Sequence, residues 1–170
     1  MVKKQDVMGW LADEDFEVHL ETPPQGAPVN WIIRAVSKIP VKANIILQEP
    51  KEKPDRLVIT LGVMVSDYHK AKMGELSDSE RAILSYEILE SLLSLCPDCL
   101  ILLQPSLTDL QSIVITKILY EEEITRANLL STVKTVVNMF SLLVLKLTSR
   151  FGPFNQPGKR EFSSDSLSFI

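Results

Sequence analysis

The sequence predicts an α+β fold in which helices pack on one face of an antiparallel sheet of about five to six strands. Several short segments alternate apolar and polar residues with the period of a strand, and short connections join them. A capped apolar helix begins near Ser77, and a longer apolar helix ends near Arg150. These observations predict the order α-β-β-β-β-α-β-β-α along the chain.

The first half of the chain is predicted to contain one helix and four strands. Apolar residues recur at helical spacing over Val2 to Leu11, and apolar and polar residues alternate over Phe16 to Glu21. Three further strands are predicted at Val29 to Val36, Val41 to Leu47 and Arg56 to Val65. Their connections are short, so we expect antiparallel pairing.

The second half is predicted to begin with a helix that has a capping box. In Ser77-Asp78-Ser79-Glu80 the hydroxyl of Ser77 accepts from the amide of Glu80, and the carboxylate of Glu80 reaches back to the amide of Ser77. The helix ends near Cys96 because Pro97 has no N–H. The remaining elements are two strands, Leu100 to Leu103 and Ser112 to Tyr120, and a helix from Thr125 or Arg126 to about Arg150.

The length of 170 residues fits one domain, which we place at residues 1–152. Residues 153–170 contain few apolar groups, and we expect them to form a disordered tail. In an alternative reading this tail is the functional peptide of the protein. Its anchors would then be Phe162, Leu167, Phe169 and Ile170.

Charge and composition limit the partners and the location. The net charge of −4 has the wrong sign for a protein that neutralises phosphates, so we expect no nucleic-acid ligand. The N-terminus lacks the apolar stretch of a signal peptide, and Val136 to Leu147 is too short to cross a bilayer, so no membrane partner is expected. Two cysteines do not make a disulfide framework. We therefore expect a cytoplasmic protein.

The motif Cys96-Pro97-Asp98-Cys99 is the segment with the most suggestive chemistry. Two thiols at this spacing can form a disulfide or occupy two zinc positions. Cys96 falls at a helix C-terminus, which disfavours a thiolate, and zinc would need two more ligands, for which only His19, His69 and carboxylates remain. Buried thiols are therefore the first interpretation, with no metal or cofactor. A regulatory disulfide and a metal site at Cys96 and Cys99 remain alternatives.

No catalytic motif is recognisable. His19 and His69 are expected at the surface, and the six glycines do not fit a nucleophile elbow, a phosphate loop or a dinucleotide fingerprint. We expect a protein that is not an enzyme. Carboxylates from distant segments could still meet as an acid and a base, which a sequence cannot exclude.

The long C-terminal helix is apolar almost all round. A sheet covers only one side of a helix, so the remaining apolar side chains suggest contact with a second subunit or a client segment. The candidate interface residues are Phe140, Leu143, Val144 and Leu147. Burial by the middle helix of the same chain is the equally open alternative. Exposed sheet edges offer another mode, in which a partner adds a strand.

The element order resembles the type III secretion chaperone-like fold, which includes uncharacterised archaeal and bacterial families. The resemblance covers Val2 to Arg150 and rests on the helix capped at Ser77 and on the helix ending Ser149-Arg150-Phe151-Gly152. It implies a cytoplasmic homodimer that binds polypeptides without turnover, although this chain has four strands before the middle helix where those chaperones usually have three. The expected function is that of a non-catalytic, chaperone-like adaptor. A thiol-disulfide or metal-binding protein using Cys96 and Cys99 is the alternative.

Overall fold

A computed structural model describes residues 3–153 and 168–169. The helices are α1 (Lys4–Ala12), α2 (Asp67–Gly74), α3 (Asp78–Leu95) and α4 (Arg126–Phe151). The strands are β1 (Glu17–Glu21), β2 (Val29–Val36), β3 (Asn44–Pro50), β4 (Arg56–Met64), β5 (Leu100–Pro105), β6 (Leu110–Tyr120) and β7 (Ser168–Phe169). A 3-10 turn, Glu121–Glu123, precedes α4. The predicted fold class and element order are confirmed, with α2 and β7 as additions.

The sheet runs in the order β1-β2-β3-β4-β6-β5, and every neighbouring pair on this path is antiparallel. Ile33, Leu47 and Ile59 are opposite one another on β2, β3 and β4, and all three are buried. Their side chains define the inner face. Since side chains alternate along a strand, the residues between them lie on the opposite, outer face.

The core lies between the inner face and the helices. Nine side chains of α4 are buried, and α1 and α3 add Val7, Leu11, Ile88 and Leu92 to the same apolar cluster. Burying one such side chain contributes about 1.5–3 kcal/mol. By length and composition α4 would also suffice to cross a membrane. In this structure 44% of its most apolar window is buried inside the protein.

The third strand begins later than predicted. The backbone before it is held by Ser37, whose hydroxyl donates to the carbonyl of Val41 (2.6 Å) and accepts from the amide of Ala43 (2.9 Å). These groups form a turn between β2 and β3 instead of a ladder. The strand therefore starts at Asn44 and continues to Pro50.

The sequence pattern does not predict α2, because this helix of eight residues buries only His69 and Met73. The predicted tail over residues 153–170 falls outside the described residues except for Pro153 and β7. The two residues of β7 pair in parallel with Val63 and Met64 of β4.

Candidate docking edge and disulfide

Strand β5 lies at one end of the strand order, opposite β1. Within the described residues it pairs only with β6, and it contains no charged residue. Leu100 and Leu102 are 59% and 43% exposed. Edge strands are usually protected by charges, prolines or bulges, and here Pro105 and an irregular register interrupt only the last residues. No other strand in the described ranges, 3–153 and 168–169, covers the second side of β5, to which another strand can add.

The opposite edge, β1, is protected by charge. Glu17 accepts from His19 at 2.8 Å, and Glu21 forms an ion pair with Arg34 of β2 at 2.7 Å. The hydrogen bond from His19 is the main cause that lowers the pKa of Glu17. Because charged side chains line β1 and not β5, the two edges are not equivalent as docking sites.

The outer face next to β5 is apolar. Leu102 is opposite Val114, and Ile118 is opposite Val58, all on the side of the sheet away from the core cluster. We call Leu100, Leu102, Val114, Ile118 and Val58 the outer apolar patch. No helix in the described part of the chain packs on it. Thr60 and Thr116 lie between the two pairs on the same face, and Val58 and Val114 are half-buried. Exposed apolar side chains beside a sheet edge commonly mark a surface for protein contact.

The candidate interface residues of α4 do not lie at a sheet edge or on the outer apolar patch. Phe140, Leu143 and Leu147 are buried in the core, and Val144 is half-buried against it. The sheet is not their only cover, because α1, α2 and α3 also contact α4. The same chain therefore covers Phe140, Leu143 and Leu147, while Val144 keeps part of its surface exposed.

Cys96 and Cys99 form a disulfide, and both residues are buried. This pairing was an alternative to separate buried thiols. Their sulfur atoms and a carboxylate oxygen of Asp98 lie within 4.8 Å of one another, a spacing compatible with a metal site. A disulfide sulfur carries no thiolate charge, however, and the thiolate is the metal ligand. The oxidised pair therefore offers no metal site.

An ion pair fixes the turn that carries the disulfide. The Nζ of Lys117 on β6 contacts Oδ2 of Asp98, and Oδ1 of Asp98 lies 3.3 Å from Sγ of Cys96. The hydrogen bond from Lys117 lowers the pKa of Asp98. An ionised carboxylate is thus held beside the sulfur at neutral pH.

His69 is buried, with 2% of its surface exposed, whereas the sequence predicts a surface position. Its Nδ1 lies 3.0 Å from Oγ of Ser66, and its Nε2 lies 3.4 Å from the carbonyl oxygen of Gly152. The hydroxyl of Tyr68 donates to the carbonyl of Phe151 at 2.7 Å. Both contacts satisfy carbonyls at the end of α4, where a helix leaves them unpaired. Tyr68 and His69 therefore fasten α2 to the end of α4, and Ser66 holds the ring of His69 from the other side.

A cleft of about 440 Å³ opens between the end of α1, the turn between β2 and β3, and the middle of α4. Glu14 and Lys134 close one side with an ion pair of 2.6 Å, and this hydrogen bond is the main cause that lowers the pKa of Glu14. The residues that line the cleft include no histidine and no cysteine. Its ionisable lining consists of Glu14, Asp15, Lys38 and Lys134, and the ion pair engages Glu14 and Lys134 with each other.

Residues 3–147 match the model of a family described as "Uncharacterized conserved protein (DUF2299)". The chain is also similar to a crystal structure of an uncharacterized protein from Methanothermobacter thermautotrophicus, with 20% identity and a TM-score of 0.77 over 89% of this chain and 100% of that chain. At this identity the likeness shows the fold alone. No curated protein matches the chain. Neither match is to a secretion chaperone, so that resemblance rests on element order alone.

Proposed function

This chain belongs to the DUF2299 family of uncharacterized conserved proteins, and we propose from its geometry that it is a non-catalytic protein-binding domain that docks partners at β5. The observation that carries the proposal is the uncharged edge of β5 with Leu100 and Leu102 exposed beside it. The first partner that we propose is a second copy of the chain, which makes the protein a homodimer.

Antiparallel pairing of two β5 strands fits this edge. A two-fold axis perpendicular to the sheet makes the strands antiparallel and leaves the outer faces of both copies on the same side. Each copy then contributes the same residues, and the two outer apolar patches become neighbours. Backbone hydrogen bonds supply the pairing, and the leucines Leu100 and Leu102 supply apolar contact.

An extended polypeptide client would use the same edge, because adding a strand requires only a free row of backbone groups. This is the chaperone-like or adaptor form of the proposal. We place the domain in the cytoplasm, without a nucleic-acid or membrane ligand. The acidic net charge of −4 supports the first of these exclusions.

The test places a charge on β5 and measures the mass of the protein in solution. Leu102→Lys puts an ammonium where two β5 strands would meet, so we expect a dimeric wild type and a monomeric variant. Leu20→Lys is the matched control, because Leu20 is 49% exposed on β1, the other edge strand. Light scattering after size-exclusion chromatography gives the masses, and circular dichroism checks that each variant is folded.

The other outcomes are distinguished with a peptide probe, a fluorescent copy of Leu100 to Pro105. A wild-type monomer that binds this peptide, while Leu102→Lys does not, supports the edge with a polypeptide as its partner. A dimer that persists in Leu102→Lys contradicts the proposal, and so does a monomer that does not bind the peptide.

A further inference from the structure

We propose that Cys96 and Cys99 are a redox modification site, a disulfide that a small thiol reduces and its oxidised form restores. The state of this disulfide sets the order of the β5 edge. The consequence for docking rests on the proposed function, whereas the chemistry of the pair and its effect on β5 do not.

The position of the disulfide links it to β5. The amide of Cys96 donates to the carbonyl of Leu92 at the end of α3 (3.1 Å), and the amide of Cys99 donates to the carbonyl of Cys96 (3.2 Å). Leu100, the next residue, begins β5. The disulfide therefore closes the turn that delivers the chain from α3 to the docking edge.

The surroundings select a small thiol as the reactant. Pro97 and Asp98 are exposed, so the tip of the turn is in contact with solvent. Cys96 and Cys99 are only 6% and 7% exposed, which leaves little room for the active site of a large protein reductant. A glutathione-like thiol matches this access.

Two features make the reduced state accessible. The cysteines are only three residues apart, and closing so short a loop removes little entropy from the unfolded chain, so this disulfide resists reduction less than one that closes a long loop. After reduction, the thiol of Cys96 can donate to the Asp98 oxygen that already lies 3.3 Å away. The ion pair with Lys117 holds that carboxylate in place.

The small thiol supplies the electrons that reduction of the disulfide requires. A thiolate of the small thiol attacks one sulfur of the pair, the disulfide bond breaks, and the second sulfur leaves as a thiolate that takes a proton from water. A second molecule of the thiol attacks the mixed disulfide and releases the first cysteine, which is protonated in turn. The protein gains two electrons and two protons, and the small thiol becomes its disulfide. The reverse sequence restores the bond.

A cytoplasmic location, proposed above, would expose the site to such thiols. Thiol pools in that compartment keep most cysteines reduced, so a disulfide there is commonly one that changes state. Reduction removes the covalent closure of the turn. We therefore expect the first residues of β5 to become less ordered and the edge to dock partners less well.

The experiment equilibrates the folded protein with mixtures of reduced and oxidised glutathione, alkylates the free thiols and weighs the product. We expect a reversible transition between the two states. In Asp98→Ala the reduced state loses its hydrogen-bond acceptor, so half-reduction should require a mixture about fivefold more reducing. Asp109→Ala, at the other end of the β5–β6 hairpin, is the matched control and should not shift the transition.

Hydrogen exchange on the same samples tests the effect on structure. Reduction should speed exchange of the β5 amides and leave those of β1 unchanged. The proposal is overturned if the pair stays oxidised in every mixture while the protein is folded, or if it is reduced without any change in β5 exchange. A protein that shows the transition and the exchange effect but neither dimerises nor binds the peptide keeps the redox site and loses the proposed function.

Discussion

At the residue scale, the cap of α3 shows how a local pattern becomes structure. The hydroxyl of Ser77 accepts from the amide of Glu80 at 3.3 Å, and the amide of Ser77 donates to Oε2 of Glu80 at 2.9 Å. The predicted capping box is therefore confirmed. The backbone hydrogen bond from Ser77 is the main cause that lowers the pKa of Glu80, followed by the bond from its side chain.

Ser77→Ala should lower the free energy of unfolding by about 1 kcal/mol at neutral pH. It should also raise the pKa of Glu80 part of the way to its ordinary value of 4.5, because one of the two hydrogen bonds is lost. A lowered folded pKa stabilises the protein above the ordinary value, and this contribution disappears as the pH falls through the lowered pKa. The difference between wild type and variant should therefore shrink in acid.

Urea denaturation at neutral pH and well below pH 4.5, with a carboxyl titration of Glu80 by NMR, checks this prediction. Ser79→Ala is the control, since Ser79 is exposed in the same first turn and does not occupy the cap position. Equal destabilisation by both variants would mean that the cap contributes nothing beyond helix propensity.

Residues governed by local rules could be predicted from the sequence, and residues governed by distant contacts could not. The cap at Ser77 and the bounds of β2 follow from neighbours within a few positions. His69 is buried because it meets Gly152, 83 positions away, and no local pattern contains that contact. The sequence shows the spacing of Cys96 and Cys99. Whether the two residues stay as thiols or form a disulfide depends on how α3 ends and β5 begins.

At the element scale, α4 shows why an apolar pattern does not separate a core from an interface. Its sequence predicts a helix covered on several sides, but it does not reveal how many elements of the same chain provide the cover. The structure gives this role to the sheet and the other helices, with Leu143 fully buried. Leu145, two residues later, is 66% exposed and faces away from the core.

Leu143→Ala should lower the free energy of unfolding by about 2–5 kcal/mol, because it leaves a cavity in the core. Leu145→Ala is the control on the exposed side of the same helix and should change stability by less than about 0.5 kcal/mol. Urea denaturation measures both values, and the mass of each folded variant should equal that of the wild type. A folded Leu143→Ala protein with wild-type stability and half the mass would show that Leu143 contacts a second subunit instead of the core.

At the scale of the whole molecule, the two edges of the sheet differ in a way that the fold does not require. The similar archaeal structure shows that this architecture recurs at 20% identity, but a shared fold does not define a function. The surface of this chain carries more information about its function than the shared fold does. Charges line β1, whereas β5 has none and adjoins the outer apolar patch. The net charge of −4 gives two copies a long-range repulsion.

If β5 joins two copies, the thermal stability of the protein should depend on its concentration. Partner binding stabilises the folded state by mass action, so the melting temperature of the wild type should rise with protein concentration. Leu102→Lys should show no such rise, and Leu20→Lys should behave like the wild type. Differential scanning calorimetry over a wide concentration range measures this dependence.

Added salt separates the proposed contact from an ionic one. Because β5 contains no charge, the dimer should persist as salt screens the repulsion between acidic copies, and its dissociation constant should fall slightly. A dimer held by ion pairs would instead weaken as salt is added. A melting temperature independent of concentration, combined with a dimeric mass, would mean that the two copies stay associated through the transition. The peptide probe would then decide whether β5 is the edge in use, because a closed β5–β5 interface excludes the peptide at high protein concentration and admits it on dilution.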